Sequence, residues 1–494
     1  MSQEQVQAPS AAPEAEAPQR RERGGGETGS NSAAQDRVRR GSNGAAGTPG
    51  TATDTTATPA AAPNDEVEAL LKDDAALRAF FARAAETTLA ALVAFKDADV
   101  ARVADKARTA NLLAPMITGI AAPPASAATR TAMRRLLDIG NLNITEAKSL
   151  FKQRFNHEAK AEETEWRLEI LKAVWTALDR LPDQDVSSNT VLTTFNAING
   201  GGGTGPSWQA PDTINSIRLG QAATPSAMAH TVRHEVGHAV HAQISAQVNP
   251  WLQGEMQFWF LSGDKAGVKS WLDQLDTWPA NYTDAAGASK PLGDTEKDKL
   301  AGMVETWMGH SGWSPTRTNV TDGQPAELTS LWAAVPEKMK NGVAQSKTNW
   351  YSNWTNFQQG SDSRYFFLNH YYHRPYHFGP KAAEVIRAVG DNYTAMSEQE
   401  FFANAYAEYF KDPAGYTDNS KWGGNLPAGV KDFFKTVVVS RQPYTAPVAT
   451  GTGAAAPGAA SGTPNLPPGG VAADGAPPPR ADQLADATGA GRPT

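Results

Sequence analysis

The chain has 494 residues, of which 40% are apolar and 20% are charged, so it is long enough to bury at least one substantial core. It contains no cysteine, which excludes disulfides, thiolate metal sites and a cysteine nucleophile. A formal net charge of −7 argues against nucleic acid as the main partner. No apolar run is long enough to span a membrane, and the first 18 residues lack the apolar core of a classical signal peptide. We therefore expect synthesis in the cytoplasm, with any export by another route.

Both ends of the chain are poor in large apolar side chains. Residues 1–62 are rich in Arg, Ala and Gly, and residues 445–494 are rich in Ala, Gly and Pro. Neither segment can bury enough apolar surface to offset the entropy of ordering, so we predict two disordered tails. The arginines of the first tail are typical either of a solvated segment or of an arm that contacts a delivery apparatus.

The segment 63–182 is predicted to be a helical N-terminal region. Val67, Leu70 and Phe81 follow a period of 3.6 residues behind an Asn/Asp start signal, and the same period returns between residues 168 and 178. The sequence contains no internal repeat.

The segment 183–444 begins with a different pattern. A glycine-rich loop at residues 200–205 is followed by a predicted strand at 215–219. Thr224-Pro225 is a helix start signal, so a helix is predicted from about 225 to 247, ended by Asn249-Pro250.

The later part of this segment is aromatic. The predicted insertion 251–360 holds nine of the thirteen tryptophans, which we interpret as core packing rather than as a ligand-stacking surface. A last helix is predicted to begin near Ser397, and the folded region is predicted to end near Tyr444.

The helix predicted at 225–247 carries His234-Glu235-Val236-Gly237-His238. Because residues four apart share a helix face, His234 and His238 can present two imidazole nitrogens to one metal ion. Glu235 is rotated about 100° from His234 and therefore lies beside the metal without binding it. This is the placement of a general base that takes a proton from a metal-activated water. The motif predicts a Zn²⁺ site, and two ordinary helix histidines are the alternative.

Other histidines lie near this motif or in the aromatic region. His230 and His241 share the helical stripe of the motif, and His241 is a candidate to contact a ligand or the substrate. For each histidine alone, a packed or solvent-exposed side chain is the favoured interpretation. The aromatic segment that contains His370, His373 and His377 is predicted to be a wall of the active-site cleft, with Tyr371, Tyr372 or His373 reaching the substrate. A second metal site is the alternative for this segment.

A catalytic zinc requires a third ligand and an open position. The position ten residues beyond His234 is Ile244, which excludes the longer motif with three histidines. A glutamate from the later helix is the main alternative, and Glu400 offers one. However, Ser397-x-x-Glu400 also matches a capping box, in which Glu400 would only cap its own helix. The fallback ligands are, in order, Glu408, Glu398 and Asp391.

The pair of motifs HEVGHAV and EFFANAY resembles the glutamate-zincin peptidases related to anthrax lethal factor, which combine H-E-x-G-H-A-V and E-F-F-A-x-A-[FY] helices. The resemblance implies that Glu400 is the third zinc ligand and that Tyr393 supports the oxyanion. It covers the strand before the first helix, that helix and residues 391–410. His241 and Asn404 stand where relatives carry acids, and we expect these departures to affect ligand orientation.

We therefore expect an α+β, mainly α protein, in which a zincin-like metallopeptidase domain at 183–444 has a small sheet beside the active-site helix. The expected function is a zinc-dependent endopeptidase, with a protein or peptide substrate added as a strand beside Ile217 to Leu219. The alternative is a catalytically inert zinc-binding interaction module. The resemblance, the tails and the missing signal peptide fit an injected toxin or effector as well as an intracellular protease.

Overall fold

The computed structural model describes most of the chain between residues 63 and 446. The described ranges are 63–123, 125–200, 203–205, 216–273, 278–309, 319–336, 340, 365–369, 374–390, 392–395, 397–411 and 421–446. All of them belong to one compact unit. The tails predicted at 1–62 and 445–494 lie outside these ranges, apart from residues 445 and 446.

Helices predominate in the described residues. They are α1 (Pro63–Lys72), α2 (Asp74–Phe81), α3 (Ala85–Ala94), α4 (Asp97–Thr109), α5 (Leu113–Thr118), α6 (Ala127–Ile139), α7 (Ile144–Phe155), α8 (Leu168–Leu178), α9 (Pro225–Gln243), α10 (Ser245–Gly254), α11 (Lys265–Asp273), α12 (Asp294–Met308), α13 (Ala326–Ala334), α14 (Pro380–Val389), α15 (Glu398–Tyr409) and α16 (Ala428–Phe433). A 3-10 turn, Asn392–Ala395, precedes α15, and a π-helix, Phe434–Val439, follows α16. Among the described helices, none has the combined length and apolar character needed to cross a membrane.

The strands are short and form three small sheets. They are β1 (Glu158–Ala161), β2 (Thr194–Ile198), β3 (Gly203–Gly205), β4 (Ser216–Gly220), β5 (Trp259–Phe260), β6 (Asn281–Thr283), β7 (Ser289–Pro291), β8 (Tyr365–Asn369) and β9 (Arg374–Phe378). The sheet orders are β1-β2-β4-β3, β5-β9-β8 and β6-β7. The predicted α+β, mainly α class is therefore confirmed.

The N-terminal region is mainly helical, as the apolar period predicts. Asp73 separates the first two helices and caps α2, because its side chain accepts a hydrogen bond from the backbone N–H of Ala75 at 2.8 Å. However, β1 pairs in parallel with β2, and α8 packs extensively against α9. The ranges 63–182 and 183–444 thus share one sheet and one hydrophobic core.

Strand β4 forms where the sequence predicts a strand, and it is an interior strand. It pairs in parallel with β2 on one side and antiparallel with β3 on the other, where Thr204 faces Ile217. The prediction that a peptide adds beside Ile217 to Leu219 is therefore wrong for Ile217 and Arg218, which already pair with β3 on that side. Two of the three residues of β3 are glycines, so the sequence has no apolar alternation that would predict this strand.

Helix α9 begins where the sequence predicts. The Thr224 hydroxyl accepts a hydrogen bond from the backbone N–H of Ala227 at 3.3 Å, and Pro225 occupies the first turn. The predicted end at Asn249-Pro250 is wrong. The helix stops at Gln243, because Ile244 leaves the helical conformation, and Pro250 lies inside the separate helix α10.

Most of the described tryptophans pack in the core, as predicted. Trp251, Trp271 and Trp307 have no exposed surface, and Trp251 stacks on Phe433 with ring centroids 3.9 Å apart. Trp259 is 43% exposed and is the exception among the large apolar side chains of the described residues.

Candidate metal centre

Helices α9 and α15 approach each other closely at a glycine. A Cβ atom at Gly237 would lie 2.8 Å from the Ala403 Cα atom and 3.2 Å from the Tyr406 Cβ atom. Only a residue without a side chain fits between the two backbones at this distance. Gly237 therefore packs directly against α15. The contact brings the first turns of α15 beside the two motif histidines.

Three side-chain atoms converge where these helices meet. The Nε2 atoms of His234 and His238 are 3.1 Å apart. The Oε2 atom of Glu400 lies 3.1 Å from Nε2 of His234 and 3.4 Å from Nε2 of His238. Within the described residues, these are the side chains that form a group able to hold a metal ion.

The spacing of these atoms fits a small divalent cation. Ligand atoms about 2.05 Å from a tetrahedral ion lie about 3.3 Å from one another, which matches the three distances. Three bare acceptor atoms at this spacing repel each other unless a proton or a cation lies between them. The Oε2 atom of Glu400 is buried against the two histidine nitrogens, so it has a coordination position to offer. The three side chains are 10–11% exposed, so the group is largely but not completely buried.

The structure distinguishes the two roles that the sequence allows for Glu400. Ser397 caps α15, because its hydroxyl accepts a hydrogen bond from the backbone N–H of Glu400 at 3.2 Å. The Glu400 carboxylate does not complete a capping box. Its Oε2 atom lies with the histidines, and its Oε1 atom accepts a hydrogen bond from the Tyr393 hydroxyl at 3.3 Å. Glu400 therefore lies where it could hold a metal ion together with the two histidines.

Asn404 orients His234. Its Oδ1 atom lies 2.9 Å from Nδ1 of His234, and an amide oxygen can only accept a hydrogen bond. Nδ1 must then carry the proton, which leaves Nε2 free to bind a metal. The sequence identifies Asn404 only as a departure from the family pattern, although its spacing of four from Glu400 places both on one helix face.

The electrostatics of the group favour a positive charge between the donor atoms. Burial opposes a charge on His234, but hydrogen bonding and the charge of Glu400 raise its pKa to about 9. Burial likewise opposes a charge on Glu400, but the charges and hydrogen bonds of the two histidines hold its pKa well below the usual range. A cation would take the place of the proton that these groups share.

Glu235 lies within the same electrostatic environment. Its side chain is buried, and burial is the main cause that raises its pKa, with a further contribution from the charge of Glu400. The two histidines act in the opposite direction. A raised pKa brings a carboxylate closer to the proton affinity that a general base needs near neutral pH.

Of the other predicted site residues, Tyr393 lies at the centre and His241 does not. The Tyr393 ring centroid is 6.3 Å from that of His234. His241 is buried, with Nε2 2.9 Å from Oδ1 of Asn249 and its ring against Phe402. Burial lowers the His241 pKa to about 4, so this imidazole is neutral and belongs to the core.

The remaining candidates lie elsewhere. His377 is buried in β9, and His230 is exposed one turn before His234. His373, His370 and Asp391 lie outside the described residues. The fallback ligand Glu408 accepts hydrogen bonds from the backbone N–H of Asn425 and from Lys411, both at 3.1 Å, and so serves the segment that follows α15.

The donor group therefore combines two imidazoles from α9 with one carboxylate from α15, and Glu235 lies in the same turn as His234. This arrangement can hold a metal ion and place a second carboxylate beside it. No protein-family model, curated protein or solved structure matches the chain.

Proposed function

We propose that this protein is a zinc-dependent endopeptidase that hydrolyses peptide bonds of a protein substrate. The observation that carries the proposal is the spacing of 3.1, 3.1 and 3.4 Å among the donor atoms of His234, His238 and Glu400. Two imidazoles and one carboxylate are a ligand set typical of catalytic zinc, which keeps its fourth position for water or substrate.

Each side chain of the site has a defined task in this proposal. His234, His238 and Glu400 hold the ion, and Asn404 keeps the proton of His234 on Nδ1. Bound zinc supplies Lewis acidity, which polarises a carbonyl group and makes a water molecule more acidic. The Glu235 carboxylate accepts the proton of the attacking water and then delivers it to the leaving amine nitrogen.

Tyr393 has a second proposed task. Its hydroxyl donates to Glu400 Oε1 at 3.3 Å, a long hydrogen bond that can be exchanged for a better acceptor. The proposed acceptor is the oxygen that becomes negative when water adds to the scissile carbonyl group.

An extended substrate segment is proposed to pair with the outer edge of β3. This strand pairs with β4 on its other side, and β4 leads into α9. Backbone hydrogen bonds to such an edge would hold the substrate in an extended conformation. Delivery of the protein into a target cell is proposed from the sequence features alone.

The test measures zinc content and cleavage of a denatured protein for the wild type, Glu235→Gln and Glu408→Gln. We expect one zinc per chain in all three proteins. We expect Glu235→Gln to cleave at least 100-fold more slowly, because it lacks the base. Glu408→Gln is the matched control, since it makes the same chemical change on α15 away from the donors, and should keep its activity.

Two outcomes would contradict the proposal in different ways. A wild type that binds no zinc would remove both the metal site and the peptidase. A wild type that binds zinc but cleaves no member of a broad peptide library would instead identify a catalytically inert zinc-binding module.

A further inference from the structure

A buried polar cluster connects the two helices that carry the metal ligands. Asp185 has no exposed surface, and its two carboxylate oxygens accept hydrogen bonds from the Tyr406 hydroxyl and from Nη2 of Arg441, each at 2.7 Å. The same Arg441 nitrogen donates to Oε1 of Gln243 at 3.0 Å. Asp185, Tyr406, Arg441 and Gln243 are called the Asp185 cluster below.

The cluster includes one residue from each ligand helix. Gln243 is the last residue of α9, and Tyr406 lies six residues beyond Glu400 in α15, or about 9 Å along the helix axis. Gly237 and Ala403 fix how closely the two helices approach. A contact between such small residues does little to prevent one helix from sliding along the other, whereas directional hydrogen bonds do.

The metal centre is sensitive to such sliding. Metal–ligand distances are fixed to about 0.2 Å, so a slide of about 1 Å would separate Glu400 from the two histidines. The Asp185 cluster is a second connection between the helices, away from the donor atoms. It keeps the three donor atoms in place when the metal is absent. It prepares the site for binding.

The surroundings of Arg441 hold it in an uncommon conformation. Its φ angle is +52°, in the left-handed region that a residue with a side chain adopts only when its contacts require it. It directly follows the π-helix and Ser440, and its Nη1 atom donates to the Val438 carbonyl oxygen. Gln184, which precedes Asp185, donates to the carbonyl groups of Val438 and Val439. Residues 438–441 are thus held against Gln184 and Asp185 by several hydrogen bonds.

The cluster is not explained by stability alone. Burial is the largest influence on Asp185 and raises its pKa to about 6, even though Arg441 and Tyr406 act in the opposite direction. When the cost of burying a charge outweighs the attraction of its partners, a buried ion pair contributes little to the free energy of folding. Apolar side chains of similar size would often give the same stability. A defined orientation of neighbouring elements is the property that such a pair can supply instead.

We infer that Asp185, Tyr406 and Arg441 are positioning residues that hold α15 on α9 in the register that brings Glu400 to the two metal-binding histidines. This inference rests on the metal site of the proposed function. It assigns a role to three residues that touch neither the metal nor the substrate.

The test compares the wild type with Tyr406→Phe and with the double variant Asp185→Leu/Arg441→Met. Tyr406→Phe removes one hydroxyl and keeps the buried ring. The double variant removes both charges together, so no unpaired ion is left in the core. Tyr444→Phe is the matched control, because it also removes a hydroxyl that donates to a carboxylate, Glu255, at 3.1 Å. Glu255 lies after α10, on neither ligand helix.

Three quantities are measured for each protein: the zinc dissociation constant by competition with a chelating dye, the visible absorption spectrum with Co²⁺, and the urea midpoint of the metal-free form. We expect Tyr406→Phe and the double variant to bind zinc roughly tenfold more weakly, the low end of the range for residues that orient ligands. We expect an altered Co²⁺ spectrum in both, because the ligand geometry changes. The double variant should keep or raise the urea midpoint, and Tyr444→Phe should keep the wild-type zinc affinity.

A zinc affinity of Tyr406→Phe within twofold of the wild type would overturn the inference. So would a loss of zinc affinity in Tyr444→Phe as large as that in Tyr406→Phe. If the double variant does not fold, Tyr406→Phe decides alone. A wild type that binds no zinc would refute the proposed function, whereas a zinc-binding wild type with unaffected variants would refute the positioning role only.

Discussion

Replacing Gly237 with alanine tests whether the helix contact controls the metal centre. The added Cβ atom would lie 2.8 Å from the Ala403 Cα atom, about 0.7 Å short of a normal carbon contact of about 3.5 Å. Because the obstacle is backbone, α15 must retreat by about this amount. Overpacking of this kind costs about 1–3 kcal/mol of stability, and the better helix propensity of alanine offsets about 1 kcal/mol.

The same retreat would carry the Glu400 carboxylate away from the histidines, from 3.1 and 3.4 Å to about 4 Å. Such a gap is well beyond the spacing of about 3.3 Å in a tetrahedral site, so we expect zinc affinity to fall by more than about tenfold while stability falls by about 0–2 kcal/mol. Competition with a chelating dye measures the affinity, and urea unfolding measures the stability.

Gly302→Ala is the matched control for this experiment. Gly302 lies inside α12, and a Cβ atom there would meet only side-chain carbons of Lys265, at 3.7 and 3.8 Å. We expect this variant to gain about 0.4–1 kcal/mol of stability and to keep its zinc affinity. Normal zinc binding by Gly237→Ala would show that the close approach of α9 and α15 does not position Glu400.

Three further predictions concern single side chains. Glu400→Gln should weaken zinc binding by more than about tenfold in dye competition, because a neutral amide is a poor ligand. Glu408→Gln should keep the wild-type zinc affinity. Equal affinities of the two variants would exclude Glu400 as a ligand. Asn404→Leu should weaken zinc binding about 10- to 100-fold, because His234 loses the acceptor that fixes its proton, and unchanged binding would contradict that role. Asp185 has a folded-state pKa of about 6, above its unfolded value of about 3.9, so its contribution to stability is present below pH 4 and is lost as the pH rises through 6. Relative to Asp185→Asn, wild-type stability in urea should therefore fall by about 2 kcal/mol between pH 4 and pH 7, and a pH-independent difference would refute the shift.

Features set by neighbouring residues could be predicted from the sequence. The start of α9 follows from Thr224 and Pro225, whose cap and fixed φ angle act within one turn. The start of α15 follows from Ser397 for the same reason. The two histidines of the motif share one face because helix geometry alone puts them there.

Features that depend on distant contacts could not be predicted in this way. Ser397-x-x-Glu400 fits a cap and a ligand equally well, and only the position of α9 separates the two roles. The pairing of β4 on both sides depends on β3, whose glycines carry no apolar pattern. Asp185 and Arg441 are 256 positions apart in the chain, and neither has a local signal.

The separation along the chain of the residues that form and support the site also determines when the site can exist. His234 and Asn404 are 170 positions apart, and Arg441 comes later still. During synthesis, the HEVGH helix therefore leaves the ribosome long before its carboxylate partner, and a pair of imidazoles alone holds zinc weakly. The order of the residues thus delays the proposed peptidase activity until nearly all of the described chain has been made.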